Sequence, residues 1–109
     1  MVNEILNNSI NDFINAVKET SEYKNYKNRR NNIMANPELR GKTAKLMAEH
    51  YKLLTTTPDS KLLEAEMAFS DKYEDIYTIP EIHDFLEAET RFNDMLRDVL
   101  ERVTGGLSL

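Results

Sequence analysis

Residues Ile82, Phe85, Glu89, Phe92, Leu96, Val99 and Val103 follow one another at alternating spacings of three and four. Only a helix brings such a set to one side, because a strand would send neighbours to opposite faces at a period of two. The run is long enough to predict a C-terminal helix that dominates the fold, with Leu86, Met95 and Leu100 beside its seam. Thr78-Ile79-Pro80-Glu81 precedes it and matches a capping box. Gly105-Gly106 follows it and offers a left-handed C-cap, with Leu107 able to close the accompanying apolar contact.

The remaining segments repeat the helical period. Val2, Ile5, Leu6, Ser9, Phe13, Ala16 and Val17 share one side of a first amphipathic helix. That helix is rich in Asn, a poor helix former, so packing must hold it. Thr20 or Ser21 can cap a second helix, in which Tyr23, Tyr26, Arg30 and Ile33 share a face. Asn36-Pro37-Glu38 supplies the N-cap, first-turn proline and first-turn acid of a third helix. Its stripe is Leu39, Thr43, Leu46, His50 and Leu53. Thr55-Thr56-Thr57-Pro58 breaks the chain, and Thr57 and Pro58 are expected to open a fourth helix with Leu62, Ala65, Phe69, Tyr73 and Ile76 inward. Strand-like alternation and hairpin dipeptides are absent from the sequence. The expectation is one all-α domain over residues 1–109. It is an antiparallel helical bundle or hairpin of about five helices with a long C-terminal helix, and it is expected to be oligomeric.

Charge is unevenly placed. Residues 18–52 hold nine Lys/Arg against four Asp/Glu, whereas residues 59–102 hold five against thirteen. Either the two halves complement each other, within the fold or across a dimer, or they are separate surfaces for partners. The sequence has no cysteine, so disulfides and Cys-ligated zinc or iron–sulfur clusters are excluded within it. No window approaches the roughly 20 apolar residues of a membrane span, and no signal peptide is recognisable, so a cytoplasmic location without membrane contact is expected.

Catalytic chemistry has little to stand on. His50 lies in an apolar stripe, where a packed, hydrogen-bonded role is expected, and His83 lies in the first turn of the last helix. No metal-ligand spacing, nucleophile–base pattern, P-loop or dinucleotide fingerprint is present. Neither metal nor cofactor is expected. Lys24, Lys27 and Arg29 begin a basic stretch interleaved with Tyr23 and Tyr26, and they form a candidate partner surface. Phosphate contacts plus stacking could bind single-stranded nucleic acid, but the tyrosines recur at buried-face spacing, so direct nucleic-acid contact is not expected. The seam residues Phe85, Glu89, Phe92, Leu96 and Val99 are the candidate oligomer interface. Glu89 is the odd one, since a carboxylate in a seam needs a partner; a register-fixing ion pair is expected, with Arg30 one candidate.

An order of features runs along the chain: an amphipathic first helix, Ser21-Glu22-Tyr23-x-x-Tyr26, Asn36-Pro37-Glu38-Leu39, a polar break, then Phe85-Leu86-Glu87-Ala88-Glu89-x-Arg91-Phe92. This order resembles the YlbF/YmcA family of small bacterial helical regulators, on its YheA-like side, over roughly residues 2–104. The resemblance implies an all-α, usually oligomeric cytoplasmic protein without known catalytic activity. It implies regulation of competence, biofilm formation and sporulation through protein contacts, and a link to RNA processing through ribonuclease Y. The iron–sulfur clusters of some members are bound through cysteines, and this sequence has none to carry that feature. Two functions from different classes follow: a regulatory or scaffold protein that is a homo-oligomer, with a dimer favoured, or an RNA-processing adaptor.

Overall fold

A computed structural model describes residues 2–109. Six α-helices follow in order: α1 (Glu4–Lys18), α2 (Ser21–Ala35), α3 (Pro37–Thr56), α4 (Leu62–Lys72), α5 (Glu74–Tyr77) and α6 (Pro80–Gly106). A 3-10 turn, Asp59–Lys61, precedes α4, and no strand occurs among the described residues. The all-α expectation with a long C-terminal helix holds. The helices divide between two compact units, one of residues 2–28 and 88–109 and the other of residues 29–87, with boundaries inside α2 and α6.

Local chemistry explains most helix starts. Asn3 caps α1 by accepting from the Leu6 amide at 2.8 Å. Thr20, rather than Ser21, caps α2: its hydroxyl oxygen accepts from the Tyr23 amide at 3.2 Å. Asn36 accepts from both the Glu38 and Leu39 amides, at 3.0 and 3.1 Å, with Pro37 in the first turn as expected.

Four expectations need correction. Thr57 terminates α3, its amide donating to the Leu53 carbonyl, and does not open α4. Pro58 is extended, and the 3-10 turn that follows is closed by the Lys61 amide on the Pro58 carbonyl at 2.9 Å. The anticipated fourth helix is split at Tyr73, whose backbone (φ −108, ψ 20) leaves the α region. Thr78 makes no capping box, because its hydroxyl turns back to donate to the Glu74 carbonyl at 2.8 Å. The C-terminal glycines stay helical. The left-handed residue is Ser108 (φ 59), and bonds from the Ser108 amide to Gly105 and from the Leu109 amide to Thr104 form the two-bond helix stop one would expect around glycine.

In the unit of residues 29–87, Ile33, Leu46, Phe69, Ile82 and Phe85 are buried together with Thr43. Full burial of an aliphatic side chain such as Leu46 or Ile82 contributes about 1.5–3 kcal/mol. An aromatic cluster surrounds Phe69, with Tyr73 at 4.6 Å, His50 at 5.1 Å and Tyr77 at 6.3 Å between ring centroids. In the other unit, Phe92 of α6 receives two rings from α2: Tyr26 stacks at 5.0 Å and Tyr23 meets it edge-on at 5.7 Å.

Candidate functional site

The basic candidates lie on α2, yet they do not converge. Lys24 and Lys27 are one turn apart, whereas Arg29 follows Lys27 by two residues and so projects from the other side of the helix. Lys24 pairs with Glu19 at 3.3 Å and Arg29 with Asp84 at 3.6 Å, while Lys27 has no ion pair among the described residues. All these partners are at least partly exposed, so the pairs are weak. Tyr23 and Tyr26 spend ring faces or edges on Phe92, leaving less aromatic surface for stacking on a base.

The seam of α6 changes character along its length. Ile82 and Phe85 are buried, Phe92 is engaged by the two tyrosines, Glu89, Leu96 and Val99 are half-buried, and Leu100 and Val103 are exposed. Glu89 has neither ion pair nor hydrogen bond among the described residues, so the expected register-fixing salt bridge is not made there. Burial instead raises the Glu89 pKa above the usual carboxylate range.

Two concavities could take ligands. One, of about 420 Å³, lies between α3 and α4 on an apolar floor of Leu53, Ala65, Ala68 and Phe69, with Lys52 and Lys72 at its edge. Lys72 holds its ammonium 5.3 Å from the Tyr73 ring centre. Beside the floor, the His50 Nε2 and Glu66 Oε1 atoms are 2.7 Å apart, joining α3 to α4 as a packed histidine should. No hydrogen bond connects this pair to a serine or threonine among the described residues. Partial burial first, and the Glu66 carboxylate second, raise the Tyr77 pKa. The other concavity, beside the start of α2, has the polar side chains of Glu22, Asn25, Arg91 and Asp94 around Ala88. The Ser21 hydroxyl donates to Glu22 at 2.7 Å and, with the Glu22 backbone amide, holds that carboxyl below its usual range. No group of three or more His, Asp or Glu is placed to hold a metal among the described residues.

The largest unassigned feature is α1. It buries no side chain. Val2, Ile5, Leu6, Ile10, Phe13 and Ile14 are between 40% and 80% exposed, a contiguous run of large apolar groups. The periodicity of this helix is plain in the sequence. The stripe counted from Val2 nevertheless omits Ile10 and Ile14, which lie beyond Leu6 and Val17 on the side away from Ile5. The polar side of the helix is formed by Asn7, Asn8, Asn11 and Asn15.

These observations define an all-helical protein whose first helix exposes a large apolar surface. Residues 6–108 match the family described as "Control of competence regulator ComK, YlbF/YmcA", and the chain belongs to that family. The resemblance carried by the order of its motifs is thereby confirmed, and with it membership of a regulatory family. No curated protein matches the chain significantly, and neither does any solved structure. No helix among the described residues is long and apolar enough to cross a membrane.

Proposed function

We propose that this protein is a non-enzymatic regulatory or scaffold protein that acts by protein–protein contact, with the apolar side of α1 as its contact surface. The observation that carries the reading is the row of large apolar side chains along a helix that buries none of them. Exposed runs of that kind mark interaction sites, because leaving them in water forgoes about 25 cal/mol for each Å² that a partner could cover. The family description supplies the regulatory setting: control of the competence regulator ComK. Its place is the bacterial cytoplasm, and its partners include further copies of itself and proteins associated with ribonuclease Y, as the family resemblance implies. Direct RNA binding has weaker support, since Lys24, Lys27 and Arg29 do not share a face.

The test is genetic and biochemical together. The native gene is replaced by one encoding Ile5→Ser, Ile10→Ser and Phe13→Ser, and the transcript profile is compared with that of a deletion. The expected result is a deletion-like profile from a protein that is still present and helical. A wild-type profile refutes α1 as the working surface. A deletion-like profile from Lys24→Glu, Lys27→Glu, Arg29→Glu, with the α1 variant behaving as wild type, would transfer the function to the basic stretch.

A further inference from the structure

Independently of α1, the geometry points to a small-molecule site in the groove between α3 and α4. Its ligand is an amphiphilic organic anion, with a short apolar body and one anionic head. The groove lies within the unit of residues 29–87, and none of its lining residues belongs to α1.

The shape follows from helical spacing. Glu49, Lys52 and Leu53 stand at i, i+3 and i+4 and share one face of α3. Ala65, Ala68, Phe69 and Lys72 share one face of α4 in the same way. Two alanines thus stand where larger apolar residues would close the gap, and the space left is about 420 Å³. Small-molecule sites occupy about 300–1,000 Å³, on mostly apolar walls with a few polar groups that fix the ligand.

The polar groups set the ligand's charge. Lys52 stands on one wall and Lys72 on the other, both exposed. Neither has an ion pair among the described residues. Glu49 is the one acid among the lining residues. Glu66, between the two alanines in sequence, is held by His50 at 2.7 Å and does not line the groove. The Thr57 hydroxyl does line it and makes no hydrogen bond among the described residues, so it can donate to an anionic head. A carboxylate or phosphate head gains from either lysine while its apolar body covers Leu53 and Phe69. A cation of the same shape meets two like charges.

The test is a titration of the full-length protein, followed by amide NMR shifts, with each probe kept below its micelle concentration. Decanoate and decyl phosphate are the anionic probes, and the tighter of the two names the head group. Decylamine and decanol are the cationic and neutral controls. Saturable shifts are expected around residues 49–57 and 65–73 with the anions, and decylamine is expected to bind about fivefold or more weakly, the scale of one or two exposed ion pairs. Charge reversal in the double variant Lys52→Glu, Lys72→Glu is expected to weaken the anions roughly tenfold and leave decanol unchanged. Ala65→Leu is expected to abolish binding of every probe while keeping α4, since Leu is a good helix former. Ala68→Leu, at an exposed position, makes the same test if Ala65→Leu disturbs folding. The α1 variant Ile5→Ser, Ile10→Ser, Phe13→Ser is expected to bind as wild type. Equal binding of decylamine, indifference to the lysine reversal, or shifts confined to residues 5–18 would overturn the assignment. An absence of saturable shifts would leave the groove to a partner's side chains and overturn it equally.

Discussion

Phe92→Ala separates packing inside the protomer from packing between copies. Phe92 sits in the α6 seam, where periodicity alone makes it an interface candidate, yet its ring is met by Tyr26 at 5.0 Å and Tyr23 at 5.7 Å in the same chain. Aromatic pairs contribute about 0.5–1.5 kcal/mol each beyond area burial, so losing two removes roughly 1–3 kcal/mol. Partial burial of the remaining ring surface adds about 1 kcal/mol, for a total of about 2–4 kcal/mol. In a domain of this size that lowers Tm by roughly 10 °C or more. The assay is thermal unfolding by circular dichroism at several protein concentrations, with sedimentation in parallel. Phe92→Ala is expected to lower Tm by a similar amount at each concentration and to leave the assembly state unchanged. A variant that loses less than about 0.5 kcal/mol, or that keeps its Tm but dissociates, would return Phe92 to the interface and refute the reasoning.

Two further predictions concern side chains that look misplaced. Thr43 is 4% exposed and its hydroxyl has no hydrogen-bond partner among the described residues. Thr43→Val keeps the shape and removes the unpaired group, so a gain of about 1 kcal/mol is expected in urea unfolding, and a loss of that size would reveal a partner for the hydroxyl. Burial raises the Glu89 pKa, so the folded state holds this proton more tightly than the unfolded state does. Stability from this group is therefore fully present below the unfolded pKa and is lost as pH rises through the raised folded value. Glu89→Gln is expected to raise Tm at neutral pH by about 2–4 °C, as roughly 0.5 kcal/mol would, and to lessen the loss of stability on leaving mildly acidic pH. A lower Tm for the variant at neutral pH would show that the carboxylate is paired.

Helical periodicity was legible in every long element because each presents one side to an apolar environment, whether or not the protomer supplies it. That is also why the interface was harder to read. A seam residue buried against its own chain, such as Phe85, and a stripe left open, such as that of α1, carry the same pattern. Only three-dimensional burial tells them apart: Phe85 is buried, whereas Ile5, Leu6 and Ile10 stay exposed. Helix ends were legible where one residue had one role, as with Asn36 before Pro37. They were misread where a residue could serve either neighbour. Thr57 and Thr78 both stand between two helices, and both act on the helix that precedes them. Tyr73 interrupts a helix without Gly or Pro, so no local signal marks it. At the end of α6, the glycines continue the helix and Ser108 takes the left-handed turn, a choice that residue preference alone would reverse.

The central claim is that the apolar side of α1 is a surface meant to be covered. Amide hydrogen exchange across α1, measured at increasing concentrations of wild-type protein and of Ile10→Glu, tests it most directly. A marginal helix with no packed face should exchange fast, and a covered one slowly. The account predicts protection of residues 5–18 that grows with wild-type concentration and is lost in Ile10→Glu, while protection around Leu46 and Ile82 is unchanged. Protection of α1 that is strong at high dilution and unaffected by Ile10→Glu would contradict it.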